Sequence, residues 1–187
     1  MRRYKARQFT DSAAALIVLT IALYAFVAAL IVSVFFIKPS VGNMAAILLV
    51  LCFVTGALTI LVLVMYNILL YRMWKQIQDL PARHRAGEAV GLLFVPIFNL
   101  YWLFVAFHGL SRELNRYIRI RGVDAAPVGE GLTLATCILL LLSILPYVGF
   151  VVSPLATIFW LISLSQMAQV SAAIARARSA HMTGFVS

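Results

Sequence analysis

Residues 87–121 read GEAVGLLFVPIFNLYWLFVAFHGLSRELNRYIRIR, and the course of this stretch decides the fold. Its apolar part, 89–110, is long enough to cross about 30 Å of hydrocarbon at roughly 1.5 Å per residue. Yet Pro96 sits near its middle, where the ring removes a backbone donor and disfavours helical geometry at Val95. Arg83 and Arg85 precede it, and Arg112, Arg116, Arg119 and Arg121 follow. A crossing would send these two groups to different compartments, whereas the basic residues of a membrane protein concentrate on one side. A segment that enters and returns keeps them together. Both courses fit the residues; a Pro-broken, re-entrant segment over 89–118 is the expectation. Past Leu103, Phe107, Leu110, Leu114 and Tyr117 keep helical spacing while Arg112, Arg116 and Arg119 take another face. That pattern predicts an amphipathic helix leaving the bilayer along its surface. Residues 122–131, with Asp124, Pro127, Gly129 and Glu130, read as a loop.

The 187 residues around and including this stretch are 64% hydrophobic and 11% charged, against roughly 45–50% and 25% in soluble domains. With a mean hydropathy of +1.01, the chain holds more apolar surface than one core can hide. A water-soluble fold is excluded, and the class is an all-α integral membrane bundle. Lys and Arg total 15 against 6 Asp and Glu, a net charge of +9. The remaining cations also lie beside apolar runs: Arg2, Arg3, Lys5 and Arg7; Arg72 and Lys75; Arg176 and Arg178. Only Lys38 stands apart. This distribution reports orientation, so membrane lipids are expected partners and nucleic acid is not. Juxtamembrane cations attract anionic headgroups by about 1 kcal/mol each; Arg72, Lys75, Arg112, Arg116 and Arg119 are the candidate contacts.

One transmembrane domain over 1–187 is expected, with a basic cytoplasmic tail at 1–11 and a second cytoplasmic tail at 176–187. The first apolar run, 12–37, is too long for a cleavable signal peptide and reads as a signal anchor. Pro39 and Gly42 make a turn, and a second run, 44–79, completes a long helical hairpin. Tyr71 and Trp74, beside Arg72 and Lys75, mark its exit at the interface. Ala25, Ala29 and Ser33 recur every four residues on the first helix, with Cys52 and Gly56 placed to face them, the small-residue pattern that lets helix backbones approach. The fourth segment, 132–175, holds Pro146, Gly149 and Pro154 near its centre and reads as two short limbs joined at a turn. Pro96 precedes Trp102 by the interval at which Pro154 precedes Trp160, an internal echo that suggests parallel repeats.

Chemistry is sparse. Asp11, Asp79, Glu88, Glu113, Asp124 and Glu130 all fall in predicted loops or helix ends, which counts against proton-coupled transport and carboxylate metal sites. The sequence carries no HExxH or GxSxG motif and no phosphate-cradling glycine loop. Cys52 and Cys137 sit in apolar runs without metal or redox spacing. No cofactor, no metal and no catalytic residue is expected. Among intramembrane polar residues, Asn99 suits a cap on a helix starting after Pro96, or a ligand contact at a helix N-terminus. His108 suits an interhelical hydrogen bond or a pH-responsive site. Tyr101 joins them as a candidate substrate or ion contact, and Asn67 reads as interhelical glue. Arg83, His84 and Arg85 make a candidate docking loop, and His181 lies in the tail.

The runs Tyr71–Lys75 (YRMWK), 87–102 (GEAVGLLFVPIFNLYW) and 109–115 (GLSRELN), with EGL at 130–132 and ILP at 144–146, carry a resemblance. Over about residues 66–170 the chain resembles an uncharacterised group of bacterial polytopic membrane proteins with a PGKAVGF..IPFFNLYW-like core. Ala86 stands at that core's Pro and Glu88 at its Lys. Some members carry a small GYF-like domain ahead of the membrane region, and the residues before Ser12 are not expected to hold one. The resemblance implies a multi-pass fold in a bacterial inner membrane and no mechanism. The expected function is non-enzymatic: self-association, or service as an accessory subunit of a larger membrane complex. The alternatives are a small channel or transporter sited at the third segment, and a lipid-modifying enzyme using His108 and Arg112.

Overall fold

A computed structural model describes residues 2–37, 41–79, 85–95 and 98–184. Pro39, Arg83, His84 and Pro96 lie outside them, as do the side chains of Ser33 and His181. The described residues are mostly helical, with no strand among them. In order come α1 (Arg2–Ile37), α2 (Val41–Gln76), α3 (Ala86–Gly91) with a 3-10 turn (Leu92–Phe94), and α4 (Phe98–Leu103). A π-helical stretch (Phe104–His108), α5 (Gly109–Arg121), α6 (Glu130–Leu142) and α7 (Val148–Gly184) follow. Three of these contain stretches long and apolar enough to cross a membrane: Gln8–Ala29, Ala46–Gln76 and Val151–Ala180. This is a membrane protein, and residues 89–110 are not among these three stretches.

The single domain expected over 1–187 resolves into two compact units, residues 14–68 and residues 1–13 with 69–187. Within the first, the helices show little burial, and the Ala46–Gln76 stretch has 6% of its most apolar window covered. The Thr55, Thr59 and Asn67 side chains bond carbonyls of their own helix, at Leu51, Thr55 and Leu63. Asn67 therefore does not act as interhelical glue among the described residues.

The second unit is built on a closed excursion. Asp79 ends the turn after α2, α3 starts at Ala86, and the chain is back at Asp79 when Tyr117 Oη donates to its Oδ2 at 3.0 Å and Arg121 Nη2 at 3.2 Å. Between these points the ingoing helix stops at Phe94, Val95 is extended (ψ 115°), and the helix resumes at Phe98. Trp102 Nε1 donates to the Ala89 carbonyl at 2.8 Å, clamping the returning arm to the ingoing one. Residues 86–94 reach only about 15 Å at helical rises, half a hydrocarbon core. The segment is broken, and its two arms turn back on one another.

Several expectations are corrected. The N-terminal tail and most of the C-terminal one are helical, because neither Pro nor Gly interrupts 2–37 or 155–183. Asp11 and Glu113 consequently lie inside helices. The fourth segment has one short limb, α6, and one long one, α7, which runs through Pro154 unbroken. That proline falls in the second turn, where its missing N–H costs one hydrogen bond of a helix extending far beyond it. Of the echo between residues 96–102 and 154–160, the described parts differ, 98–102 lying in the short α4 and 154–160 inside the long α7. α5 is amphipathic as expected, but its apolar residues Leu110, Leu114 and Tyr117 are buried in protein instead of lying on lipid. Trp74 is likewise core, its Nε1 donating to the Ala106 carbonyl at 3.0 Å, and only Tyr71 stays exposed, with Lys75 Nζ 5.9 Å from its ring centre.

Gly122 closes α5 in the left-handed conformation (φ 59°), which glycine adopts without strain. The α6–α7 turn depends on Gly149, where a Cβ would land on the Ser143 carbonyl. Gly149→Ala should therefore destabilise the fold by about 1–3 kcal/mol, whereas Gly131→Ala, where a Cβ meets nothing within 4 Å, should leave the detergent-solubilised thermal midpoint near that of the parent.

Candidate functional site

Two clusters form where the helix ends of the second unit meet. The first centres on Asp79. Arg178 Nη2 reaches Asp79 Oδ1 at 2.5 Å, donates to the Gln76 carbonyl at the end of α2, and lies 2.9 Å from Tyr117 Oη. Arg121 takes the other carboxylate oxygen. Both guanidinium groups also sit near the Tyr117 ring, at 6.0 Å for Arg121 and 5.5 Å for Arg178. The ends of α2, α5 and α7 are thereby gathered at one carboxylate. These side chains are about two-fifths exposed, so each pair contributes only about 0.2–1 kcal/mol and serves chiefly to fix register.

The second cluster is an open groove of about 880 Å³. The returning arm supplies Tyr101, Phe104, Val105 and His108, α5 supplies Arg112, Glu113, Arg116 and Arg119, and Trp74 and Glu130 complete it. The π-helical stretch shifts the backbone register between Leu103 and Gly109 and leaves the Ala106 carbonyl to the Trp74 indole. Behind the groove runs a buried hydroxyl chain: Thr133 Oγ1 lies 3.1 Å from His108 Nδ1 and 2.9 Å from Ser111 Oγ. Asn115 holds the 122–129 loop by bonding both the N–H and the carbonyl of Val128, and Gln166 Oε1 accepts from the Gly129 N–H.

Of the residues singled out from sequence, Tyr101, His108, Arg112, Arg116 and Arg119 are brought together in the groove. Asn99 is not. It is the second residue of α4, its N–H bonds the Val95 carbonyl, and its side chain is exposed, so it does not cap the helix. Arg72 and Lys75 are exposed and do not line the groove. Ala25, Ala29 and Gly56 lie in the other unit on exposed faces. Cys52 is exposed and Cys137 buried, its Sγ 3.8 Å from the Leu103 carbonyl. The sequence reading missed Asp79, Tyr117 and Arg178 as a cluster, since their partners are 38 to 99 residues apart. Glu113 and Glu130 were read only as loop or helix-end acids.

No protein-family model, curated protein or solved structure matches the chain.

His108 lies outside the three spanning stretches. Burial, and then the neighbouring Arg112 guanidinium, hold its imidazole below the usual range against a smaller upward pull from Glu130. The folded state therefore binds a proton here less readily than the unfolded state, whose imidazole titrates near 6.5. Stability from this group is complete above about pH 6.5 and declines as pH falls through the interval below it. The thermal midpoint should drop across that interval, and His108→Gln should flatten this part of the profile.

Proposed function

We propose that the protein is a non-enzymatic, multi-pass component of a bacterial inner (plasma) membrane that works by association, with copies of itself or as an accessory subunit of a larger membrane complex. The supporting observation is the face of α2 that carries Cys52, Gly56 and Thr59. These positions share one helical face, all three are exposed, and a Cβ at Gly56 meets nothing within 4 Å. Small and hydroxyl residues on a span allow close backbone approach by another helix, which lipid tails do not require. Both termini are assigned to the cytoplasm on the positive-inside rule, which the gathering of Arg121 from α5 and Arg178 from α7 at Asp79 supports.

A second reading, a small channel or transporter, draws on the groove beside the re-entrant arm, where Tyr101 and His108 face open space. The two separate in one preparation. Association gives a defined oligomer or a stoichiometric co-purifying subunit in mild detergent. Gly56→Leu, which finds no obstacle within the chain, should then reduce the assembled mass while the thermal midpoint of the dissociated chain holds. A monomeric, partnerless protein that carries ions into liposomes would contradict association and favour the second reading.

A further inference from the structure

The groove has a two-part chemistry that association does not use. Tyr101, Phe104 and Val105 supply apolar and aromatic lining at one end of a continuous helical run, while Arg112, Arg116 and Arg119 supply cationic lining further along it. Those arginines occupy successive turns of α5, whose opposite face is committed to the protein core through Leu110, Leu114 and Tyr117. Two carboxylates also line the groove, and both are engaged. Glu113 lies 3.6 Å from Arg116, and Glu130 accepts from Asn115 Nδ2 at 3.0 Å. Arg112 and Arg119 make no ion pair or hydrogen bond among the described residues. Two guanidinium groups without an ion pair thus border the groove beside its apolar lining, and its three arginines outnumber its two carboxylates. Its volume lies within the range of about 300–1,000 Å³ typical of ligand sites.

We propose that this groove seats an anionic phospholipid, its headgroup phosphate on Arg112 and Arg119 and the start of an acyl chain along Tyr101, Phe104 and Val105. The planar guanidinium fork matches phosphate oxygens in pairs, and two forks satisfy one phosphodiester better than any single residue here. The apolar lining distinguishes a lipid from a soluble anion: a free phosphate gains nothing from Phe104 or Val105, whereas an acyl chain leaving the bilayer needs such a surface. Glu113 pairs with Arg116, which leaves Arg112 and Arg119 for the phosphate, and the net positive lining selects phosphatidylglycerol-type headgroups over zwitterionic ones.

The test uses the full chain in nanodiscs of phosphatidylcholine containing a minority of spin-labelled phosphatidylglycerol, with immobilised lipid counted by electron paramagnetic resonance. The parent should hold phosphatidylglycerol in preference to phosphatidylcholine, and millimolar inorganic phosphate should not displace it. Arg112→Gln with Arg119→Gln should lower the preference by about fivefold per cation, roughly 25-fold for the pair. Arg112→Lys with Arg119→Lys should restore part of it. Arg72→Gln with Lys75→Gln, at cations outside the groove, should leave it unchanged. Both Arg112 and Arg119 are exposed, so the variants fold, and an unchanged thermal midpoint verifies it. Undiminished preference in the Gln pair overturns the proposal. An equal loss in the Arg72 and Lys75 pair overturns it in favour of diffuse surface charge, and displacement by phosphate overturns it in favour of a soluble anion. Oligomeric mass is read separately from the same samples, so the association reading stands or falls on its own.

Discussion

One carboxylate, Asp79, fixes where three helices finish. It follows α2 by a single turn, yet it is shared by Arg121 at the end of α5 and Arg178 near the end of α7, with the Tyr117 hydroxyl on the same oxygen as Arg121. Arg178 also donates to the Gln76 carbonyl, one of the last acceptors of α2 that the helix itself cannot satisfy. The ion pairs are exposed and weak in free energy. The cohesion comes from the layer above them, where Trp74, Phe107, Leu110, Leu114, Met167 and Ile174 are wholly buried and, on the spans, gain chiefly from close van der Waals packing, since lipid is as apolar as the core. The carboxylate decides register, and the core supplies the strength.

From that constraint follows the course of the third segment. A chain that leaves Asp79 and comes back to it by Tyr117 has to reverse its direction on the way, and the helix accordingly stops at Phe94 and resumes at Phe98. The turn exposes backbone groups that hydrocarbon does not solvate, and two indoles engage carbonyls of the arms: Trp102 holds Ala89, and Trp74 holds Ala106 at the π-helical stretch. The π-helical register in turn sets the relation between the aromatic residues of the returning arm and the arginines of α5. The groove is a consequence of how the excursion closes.

Much of this was readable from residues alone. The helical class, the membrane, the interruption of the third segment and the amphipathic pattern of α5 follow from periodicity and from what proline does to a backbone, whereas the cover over the apolar stripe of α5, protein instead of lipid, does not. Tyr101 and His108 were legible as one candidate site and Arg112, Arg116 and Arg119 as headgroup contacts, but their meeting in one groove was not. What escaped were the long-range pairings. Nothing local distinguishes Asp79 from any acid at a helix end, or Trp74 from an interfacial anchor, until distant partners arrive. Pro154 misled for a related reason: its cost depends on its distance from the start of α7, which the sequence does not mark.

The account rests on the ends of α2, α5 and α7 sharing one face of the membrane. The direct measurement replaces Cys52 and Cys137 with Ala, introduces Arg119→Cys or Ala180→Cys singly, and labels sealed vesicles of known orientation with an impermeant maleimide. Labelling of both positions from the same side is the predicted result. Labelling of Arg119→Cys from one side and Ala180→Cys from the other would contradict the shared face, and with it the re-entrant third segment.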